Sequence, residues 1–328
     1  MKTLYRDILT AMVMGLVVPG LLLNFGVMLL DGEAATEPAP TEAAVIPEET
    51  KPPETVALPM LLRHTDGTVE ELDMDAYLVG VVLAEMPVSF EEEALKAQSV
   101  VARTYTQKAY VTGGKHGDGS VCTKSTCCQA YIAESDYLSQ GGTQEGVDKV
   151  RAAVVATSGY VLTYADTLIE ATYFSCSGGS TEDAAAVWGT DFPYLQAVSS
   201  PGEEDAVHNT DTVTFTAEEF QTALGVSLSG SPAAWFRSVT YTDGGGIDTM
   251  IIGDTAYKGT ELRSKLGLRS TAFSVTTDGS NITITTKGFG HRVGMSQYGA
   301  DAMAVTGSSF GEILTHYYQG TTLTRLSG

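Results

Sequence analysis

Residues 78–105 read L-V-G-V-V-L-A-E-M-P-V-S-F-E-E-E-A-L-K-A-Q-S-V-V-A-R-T-Y, and they decide the fold of this chain. Apolar residues in the first part recur at near-helical spacing and predict a helix over about Met74–Glu85. Pro87 disfavours the α region for Met86, so this helix should end at about Glu85. The stretch therefore predicts a helix, a sharp break and a second helix, with a glutamate at the break.

The second helix should run from Ser89 to about Tyr110, because Ser89 and Glu92 have the spacing of a capping box. Lys96 and Arg103 lie seven residues apart on it and share one face. Both can hold an anionic or polar substrate, although solvated surface charge is the commoner state of these residue types. We take both as candidate substrate-binding residues.

The rest of the chain mixes short strands with short helices. Hairpins are predicted around Asp66-Gly67 and Ala165-Asp166, and a helix over Asp148–Ser158 should stop at Gly159. Beyond Pro201 the pattern predicts strands at Val213–Thr216, Ser238–Thr242, Phe273–Thr277 and Ile282–Thr286, and helices at Ala217–Leu224, Thr260–Leu266, Met295–Ala304 and Phe310–Tyr318. Strands and helices do not alternate regularly, so we expect an α+β domain with a substrate groove.

The composition allows a sizeable core and excludes one class of partner. The chain has 328 residues, of which 43% are hydrophobic. It carries 40 acidic residues against 19 basic ones, for a formal net charge of -21. Nucleic acid would be repelled by so acidic a chain, so we exclude DNA and RNA as partners.

The N-terminal residues predict a membrane anchor. Ile8–Leu30 is uncharged and exceeds the roughly 20 apolar residues that cross a bilayer. Lys2 and Arg6 precede it and acids follow, which places the N-terminus in the cytoplasm. A cleaved signal peptide is the alternative, but its apolar region is usually only about 7–15 residues long. The expected parts are a cytoplasmic tail, a single-pass anchor, an acidic proline-rich linker and an extracytoplasmic domain, at residues 1–7, 8–30, 31–56 and 57–328.

Glu85 is the candidate catalytic residue. The negative end of the helix macrodipole disfavours an ionised carboxylate there, and Leu83 and Met86 add desolvation. Both effects raise the pKa of the carboxyl toward the range of a general acid. On these residues alone, an ordinary solvated glutamate at a helix end is the commoner outcome.

A cysteine-rich loop over residues 115–131 reads K-H-G-D-G-S-V-C-T-K-S-T-C-C-Q-A-Y. Its candidate metal ligands are His116, Cys122, Cys127 and Cys128. Three thiolates and an imidazole suit tetrahedral Zn²⁺. The oxidising space outside the cell favours a disulfide instead, which would leave one cysteine of the three unpaired unless it reached Cys176. The spacing favours zinc only slightly.

Two glycine-rich motifs carry further candidates. Residues 173–181 read Y-F-S-C-S-G-G-S-T, and residues 288–300 read G-F-G-H-R-V-G-M-S-Q-Y-G-A. Such glycines imply tight backbone or a close ligand approach, and a purely structural turn fits as well. The candidate substrate-binding residues of these motifs are Tyr173, Ser175, Ser177, His291, Ser296 and Gln297.

Taken together, these segments resemble the stage II sporulation protein D family of endospore-forming bacteria. The resemblance rests on L-A-E-M-P and E-A-L-K-A-Q-S-V-V-A-R-T-Y within 83–105, C-Q-A-Y at 128–131, Y-F-S-C-S-G-G-S-T-E at 173–182, and G-H-R-V-G-M-S-Q-Y-G-A with I-L-T-H-Y-Y-Q-G-T within 290–321. It covers most of residues 60–325 in the family's order.

The resemblance implies a lytic transglycosylase that acts in sporulation and engulfment. Such enzymes cut the bond between N-acetylmuramic acid and N-acetylglucosamine in glycan strands stripped of peptide stems. Glu85, the glutamate of E-M-P, would be the general acid, and attack by the muramyl C6 hydroxyl would give a 1,6-anhydro product. Arg103 resembles a groove residue that binds substrate. Some members bind zinc in the cysteine loop, which favours a structural Zn²⁺ here.

The resemblance also implies a location and partners. The protein would sit in the cell membrane by its own helix, with its domain in the space between mother cell and forespore during sporulation. Its partners would be peptidoglycan glycan strands and other membrane proteins of the engulfment machinery. Two alternatives stay open: a non-catalytic enhancer of a wall amidase, which the same domain also resembles, and a hydrolase with water as acceptor.

The chain departs from the family's pattern at two places. The zinc-binding form ends its loop in His-Cys, whereas this chain has Cys127-Cys128. The last motif has Arg292 where the family usually has glycine. If that position needs a positive φ, an arginine is strained there.

Overall fold

A computed structural model describes residues 56–327. The predicted tail and anchor, and the linker as far as residue 55, lie outside the described residues. Within the described range, no helix is both long and apolar enough to cross a membrane. The described part is a mixture of short strands and helices, which confirms the predicted α+β class.

The elements are numbered in chain order. The helices are α1 Met74–Glu85, α2 Glu92–Thr112, α3 Glu134–Ser139, α4 Gln144–Ala156, α5 Ala184–Trp188, α6 Ala217–Leu224, α7 Gly259–Leu266, α8 Gln297–Val305 and α9 Phe310–Tyr317. The strands are β1 Pro59–Arg63, β2 Val69–Asp73, β3 Val121–Cys122, β4 Tyr160–Tyr164, β5 Thr167–Leu168, β6 Tyr173–Phe174, β7 Thr210–Thr216, β8 Phe236–Tyr241, β9 Ile247–Ile252, β10 Thr255–Lys258, β11 Phe273–Thr277, β12 Asn281–Lys287, β13 Met295–Ser296 and β14 Thr322–Arg325.

Helix α1 forms as its sequence predicts. The Asp73 side chain caps its start by accepting a hydrogen bond from the Ala76 amide at 3.1 Å. Nine of its twelve residues are buried, as expected for a helix that is apolar almost all round. The helix ends where Pro87 requires it to, because Met86 is already extended, with φ -126° and ψ 143°.

The start of α2 differs from the prediction. The predicted capping box between Ser89 and Glu92 is wrong, because the chain first makes a turn in which the Phe90 amide donates to the Pro87 carbonyl at 3.1 Å. Helix α2 then begins at Glu92, and Glu91 caps it without a side-chain hydrogen bond. Ser89 lies within this turn, before the helix, so it is not the N-cap residue of α2.

Small sheets surround the helices. In the described part their strand orders are β2-β1-β3, β5-β4-β14, β6-β13, β8-β9-β10 and β7-β12-β11. The parallel pairing of β6 with β13 places Tyr173 beside Met295 and Phe174 beside Ser296. The pairing brings the two glycine-rich motifs together.

Three apolar clusters make up the core of the described part. The first packs α1, α4 and the β1–β2 hairpin against one face of α2, and the second packs β4, α8 and α9 against the other face. The third lies within residues 210–287, among β7 to β12, α6 and α7. Helix α2 is therefore shared by two cores, and residues 210–287 form a lobe with a core of their own.

Arg103 holds the first core together rather than facing a groove. Its guanidinium is fully buried and ion-paired with Asp75 of α1 at 2.8 Å. It also donates to the carbonyls of Thr157 at 2.7 Å and Val154 at 3.2 Å. A guanidinium enclosed in this way cannot touch a glycan strand, so the predicted substrate contact of Arg103 is corrected to a packing role.

Candidate functional site

Glu85 lies at the C-terminal end of α1, half-buried in the wall of a cleft. Its Oε1 accepts a hydrogen bond from the Ala130 amide at 2.7 Å and another from the Tyr173 hydroxyl at 3.3 Å. Burial raises the pKa of Glu85, and the hydrogen bonds from Ala130 and Tyr173, with the nearby amide of Gln297, only partly offset that effect. The direction is the one predicted from the sequence, and it favours the protonated, proton-donating form.

Gly80 allows the loop after the cysteines to approach α1. A Cβ at this position would come within 2.4 Å of the Tyr131 ring. The Gly80 carbonyl also accepts from the Ile132 amide at 3.1 Å. The absence of a side chain at position 80 therefore lets residues 130–132 lie along the helix, and this places the Ala130 amide on Glu85.

The cleft has a volume of about 740 Å³. Its lining residues are Glu85, Tyr105, Lys115, Ser125, Thr126, Cys127, Cys128, Gln129, Glu170, Ala171, Thr172, Tyr173, Phe174, Ser175, Trp188, Arg263, Phe289, Gly290, His291 and Gln297. Both glycine-rich motifs, the cysteine loop and α7 contribute to this wall. The lining is rich in aromatic rings, which suits the apolar faces of sugars.

Tyr173 connects Glu85 to a buried polar chain. Its hydroxyl lies 3.1 Å from the Gln129 side-chain oxygen as well as 3.3 Å from Glu85. The Gln129 side chain in turn donates to Thr106 at 2.9 Å. Burial, followed by the charge of Glu85, raises the pKa of Tyr173 well above its usual value, so this hydroxyl remains protonated. Tyr173 is therefore a fixed donor beside the candidate acid.

Gln297 brings an unused donor to the same place. Its side chain is only 6% exposed and lines the cleft, and its Nε2 has no hydrogen-bond partner within the described structure. It nevertheless lies close enough to Glu85 to lower the pKa of that carboxyl. A buried amide without a partner costs free energy, so this group is available to a ligand.

His291 is a neutral ring in the cleft wall. Burial, aided by the charge of Arg263, lowers its pKa to about 4. The Val293 amide donates to Nδ1 at 3.1 Å, so the proton of the neutral ring sits on Nε2. The ring centroid is 5.2 Å from that of Trp188 and 5.6 Å from that of Phe174. His291 therefore acts near neutral pH as an aromatic wall and a hydrogen-bond donor, and not as an acid.

The cysteine loop brings its four candidate ligands together. His116, Cys122, Cys127 and Cys128 place one ligand atom each within 4.8 Å of the others. The sulfurs of Cys127 and Cys128 lie 3.9 Å apart, and 3.8 and 3.5 Å from His116 Nε2. Tetrahedral bonds of about 2.3 Å to sulfur and 2.0–2.1 Å to nitrogen put ligand atoms roughly 3.5–3.8 Å apart. The cluster could therefore hold a metal ion, and all four cysteines of the described part are free thiols rather than disulfides.

Other predicted residues lie outside the cleft lining. Lys96 is engaged with Glu92 and Glu93, each at 2.9 Å. Ser177 is buried and donates to Glu203 at 2.8 Å. The predicted substrate contact of the buried Ser177 is therefore corrected to a structural role, whereas that of Lys96, which is partly exposed, stays a prediction.

Ser296 and Ser175 differ in their relation to the cleft. Ser296 is buried and caps α8 by accepting from the Gly299 amide at 3.2 Å, so its predicted substrate contact is likewise corrected to a structural role. Ser175 does line the cleft, where its carbonyl also accepts from the Tyr298 amide at 3.0 Å. Of the glycine-rich motifs, Tyr173, Ser175, His291 and Gln297 are thus the predicted residues that reach the site.

Several residues of the cleft were not predicted. Trp188 and Phe289 are partly exposed aromatic rings, and Arg263 and Lys115 are cations. Phe289 belongs to the glycine-rich motif 288–300, so the sequence could have identified it as a residue of the site. Trp188 and Arg263 lie in short helices whose local sequence carries no mark of a site, so only the tertiary fold identifies them.

The fold and the site together define an α+β protein that presents a half-buried glutamate in an aromatic cleft, beside a thiol-rich centre that could hold a metal. Comparison with known proteins agrees with the resemblance found in the sequence. The model of the SpoIID family, described as stage II sporulation protein, matches residues 63–164. The chain belongs to the stage II sporulation protein D family.

Three relatives illustrate this membership. The chain is 40% identical over 277 residues to stage II sporulation protein D of Bacillus subtilis (strain 168), covering 83% of this chain and 80% of that protein. The protein of the same name from Bacillus amyloliquefaciens is 40% identical over the same shares. The amidase enhancer of Bacillus subtilis (strain 168) is 32% identical over 305 residues, covering 75% of this chain but 40% of that protein.

Proposed function

We propose that this protein is a lytic transglycosylase that cleaves the bond between N-acetylmuramic acid and N-acetylglucosamine in peptide-stripped peptidoglycan strands during sporulation. Family membership supports the sporulation and cell-wall context. The observation that carries the chemistry is Glu85, a carboxyl of raised pKa at the wall of an aromatic cleft of about 740 Å³. A pocket of this size accommodates a few sugar rings.

In the proposed reaction Glu85 donates its proton to the glycosidic oxygen. The bond from that oxygen to the muramyl C1 breaks, and the sugar takes on oxocarbenium character. The C6 hydroxyl of the same muramyl residue then attacks C1 and loses its proton to the Glu85 carboxylate. The products are a 1,6-anhydromuramyl end and a free N-acetylglucosamine end, and no water is consumed. Tyr173, by donating to Glu85, stabilises the carboxylate between the two proton transfers.

The second carboxylate of the cleft supports this route over hydrolysis. Among the described lining residues the acids are Glu85 and Glu170. Glu170 is ion-paired with Lys108 at 2.7 Å. The ion pair occupies Glu170, so this carboxylate is not free to position a water molecule, whereas the intramolecular hydroxyl can use the carboxylate that Glu85 becomes. The cleft therefore favours attack by the sugar's own hydroxyl.

A structural Zn²⁺ held by His116, Cys122, Cys127 and Cys128 is part of the proposal. Zinc in such a site contributes folding free energy and supplies no reactive group. The segment that follows the ligands carries Gln129 and the Ala130 amide that contacts Glu85. Ordering the loop thus helps to hold the hydrogen bonds of the acid in place.

The proposal includes a location and partners. Residues 8–30 would anchor the protein in the cell membrane and residues 31–56 would tether the domain outside, in the space between mother cell and forespore. Glycan strands would be the substrate, and other membrane proteins of engulfment would be partners. The uncharged run, the charges on either side of it and the family context support this arrangement.

The deciding experiment is product analysis. Denuded glycan strands incubated with the full-length protein in H₂¹⁸O should yield 1,6-anhydromuramyl ends without label at C1. Reducing muramic acid ends that carry ¹⁸O would identify a hydrolase and overturn the transglycosylase assignment. Intact strands after prolonged incubation would overturn the enzymatic assignment altogether.

A non-catalytic enhancer of a wall amidase is the second candidate, and the likeness to the amidase enhancer favours it. An enhancer acts by binding, so it needs the cleft but not the proton of Glu85. Stimulation of a purified wall amidase, retained in full by Glu85→Gln, would support this function.

A further inference from the structure

Arg263 reaches the cleft from a separate lobe of the fold. It lies near the end of α7, in the lobe formed by residues 210–287, while the other residues that line the cleft all lie outside that lobe. Its side chain is half-buried. Within the described part of the chain its guanidinium makes no hydrogen bond and no ion pair, and burial alone lowers its pKa. Desolvating an arginine without a partner costs free energy. The five N–H donors of this guanidinium are therefore available to bind a ligand.

The other charged groups of the cleft are already engaged. Glu170 is neutralised by Lys108, and Lys115 donates to the Cys127 carbonyl. Burial favours the neutral form of Glu85. The cleft is therefore locally positive, although the whole chain has a net charge of -21. Arg263 is the cation of the described lining whose side chain has no hydrogen-bond or ion-pair partner. An anionic group is the ligand chemistry that fits this place.

A glycan strand offers one such anion. The lactyl group of muramic acid is joined to a peptide stem through an uncharged amide, and removing the stem leaves a free carboxylate. We propose that Arg263 binds this lactyl carboxylate, and that it thereby makes the cleft select peptide-stripped strands. This inference rests on the proposed function, which it deepens by naming the residue that distinguishes stripped strands from those that keep their stems.

The geometry of the two groups supports the assignment. A guanidinium and a carboxylate form two parallel hydrogen bonds, whereas an amide at the same position offers one uncharged oxygen and carries a bulky stem. Arg263 and His291 both line the cleft, and the charge of Arg263 helps to lower the pKa of His291. His291 packs against Trp188, which provides an aromatic surface for the sugar ring beside the cation.

The test measures binding with turnover removed. The full-length Glu85→Gln protein is titrated at low salt with denuded strands, and with the same strands after their lactyl carboxylates have been converted to methylamides. The Glu85→Gln protein, which is the parent in this experiment, should bind the carboxylate form about tenfold to a hundredfold more tightly than the methylamide form. This is the factor contributed by a hydrogen bond to a charged group. Adding Arg263→Ala should abolish that preference, and Arg263→Lys should keep part of it.

A matched control lies on the same helix. Lys265 carries the same charge but interacts with Glu261 at 3.8 Å and the Leu224 carbonyl at 3.2 Å, away from the cleft. Lys265→Ala should therefore leave the preference intact. Equal affinity of the parent for both forms, binding of neither form, or a preference that survives in Arg263→Ala would each overturn the inference. Cleavage by the unmutated protein is scored separately, so failure of the enzymatic function leaves the binding result readable.

Discussion

The hydroxyl of Tyr173 lies 3.3 Å from Glu85 Oε1 and donates to it, from a strand far along the chain. A hydroxyl has one proton, so it serves either Glu85 or Gln129 at any moment. It favours the carboxylate when Glu85 is ionised, because hydrogen bonds to charged acceptors are stronger. Tyr173 thus responds to the protonation state of the candidate acid.

The first prediction follows from this contact. The hydrogen bond from Tyr173 lowers the pKa of Glu85, so Tyr173→Phe should raise that pKa further. The rate depends on the protonated form and falls as pH rises through the pKa, so the falling limb of the pH–rate profile should move to higher pH. The maximal kcat/KM should drop by up to about tenfold, the scale of one hydrogen bond.

Tyr194→Phe is the control for this change, because Tyr194 is a buried tyrosine that accepts from the Glu170 amide and does not contact Glu85. Tyr194→Phe should leave the falling limb of the pH–rate profile at the same pH. A limb that moves to lower pH in Tyr173→Phe, or that moves equally in both variants, contradicts the assigned role.

The second prediction concerns the metal. Metal analysis of the purified full-length protein should find about one zinc per chain. Cys122→Ser, or a strong chelator, should remove the metal and lower Tm, since structural zinc contributes folding free energy. Cys176→Ser changes a buried thiol outside the cluster that donates to Glu203, so it should keep full zinc content. Metal-free protein in which the clustered thiols are paired by mass spectrometry would refute the site.

The third prediction concerns Arg292, which has a φ of 65° as the departure from glycine suggested. The buried side chain offsets the strain by pairing with Glu182 at 3.0 Å and donating to the carbonyls of Ser177 and Ser180 at 2.7 Å each and of Gly244 at 2.8 Å. Arg292→Gly relieves about 1–3 kcal/mol of backbone strain. It also leaves Glu182 as an uncompensated buried charge, which costs about 3–5 kcal/mol.

The variant should therefore be less stable than the parent in denaturant unfolding. Combining it with Glu182→Gln should recover part of the loss, because the stranded charge is removed. An Arg292→Gly protein more stable than the parent would mean that strain, and not the ion pair, dominates at this position, and equal stability would mean that the two contributions cancel.

Local sequence predicted the helix, break and helix of α1 and α2, because apolar periodicity and Pro87 act within a few residues. It could not assign Arg103, since periodicity shows which residues share a helical face but not what packs against that face. Asp75 of α1 and the carbonyls at the C-terminal end of α4 decide that Arg103 is buried. Trp188 and Arg263 escaped prediction for the same reason, because they join the cleft only through contacts distant in sequence.

The last prediction is on Glu85 itself. Glu85→Gln keeps the size of the side chain and an oxygen for the Ala130 amide, but it removes the transferable proton. Cleavage of denuded strands should fall by at least about 10²-fold, the scale of general acid catalysis. Binding of the strands should survive, because the rest of the cleft is unchanged.

Stability provides an independent readout of the same substitution. Burial raises the folded-state pKa of Glu85 above its unfolded value, so the folded protein holds this proton more tightly. Its stability then decreases as pH rises through the interval between the two pKa values. Glu85→Gln lacks this dependence, so it should be more stable than the parent above the interval, and the difference should shrink as pH falls below it.

Glu170→Gln is the control for the cleavage assay. It removes the ion-paired carboxylate of the same cleft and should keep most of the cleavage activity. Near-normal cleavage by Glu85→Gln would show that Glu85 is not the general acid. A gain in stability in that variant would then mean only that burying the ionised Glu85 carboxyl costs free energy.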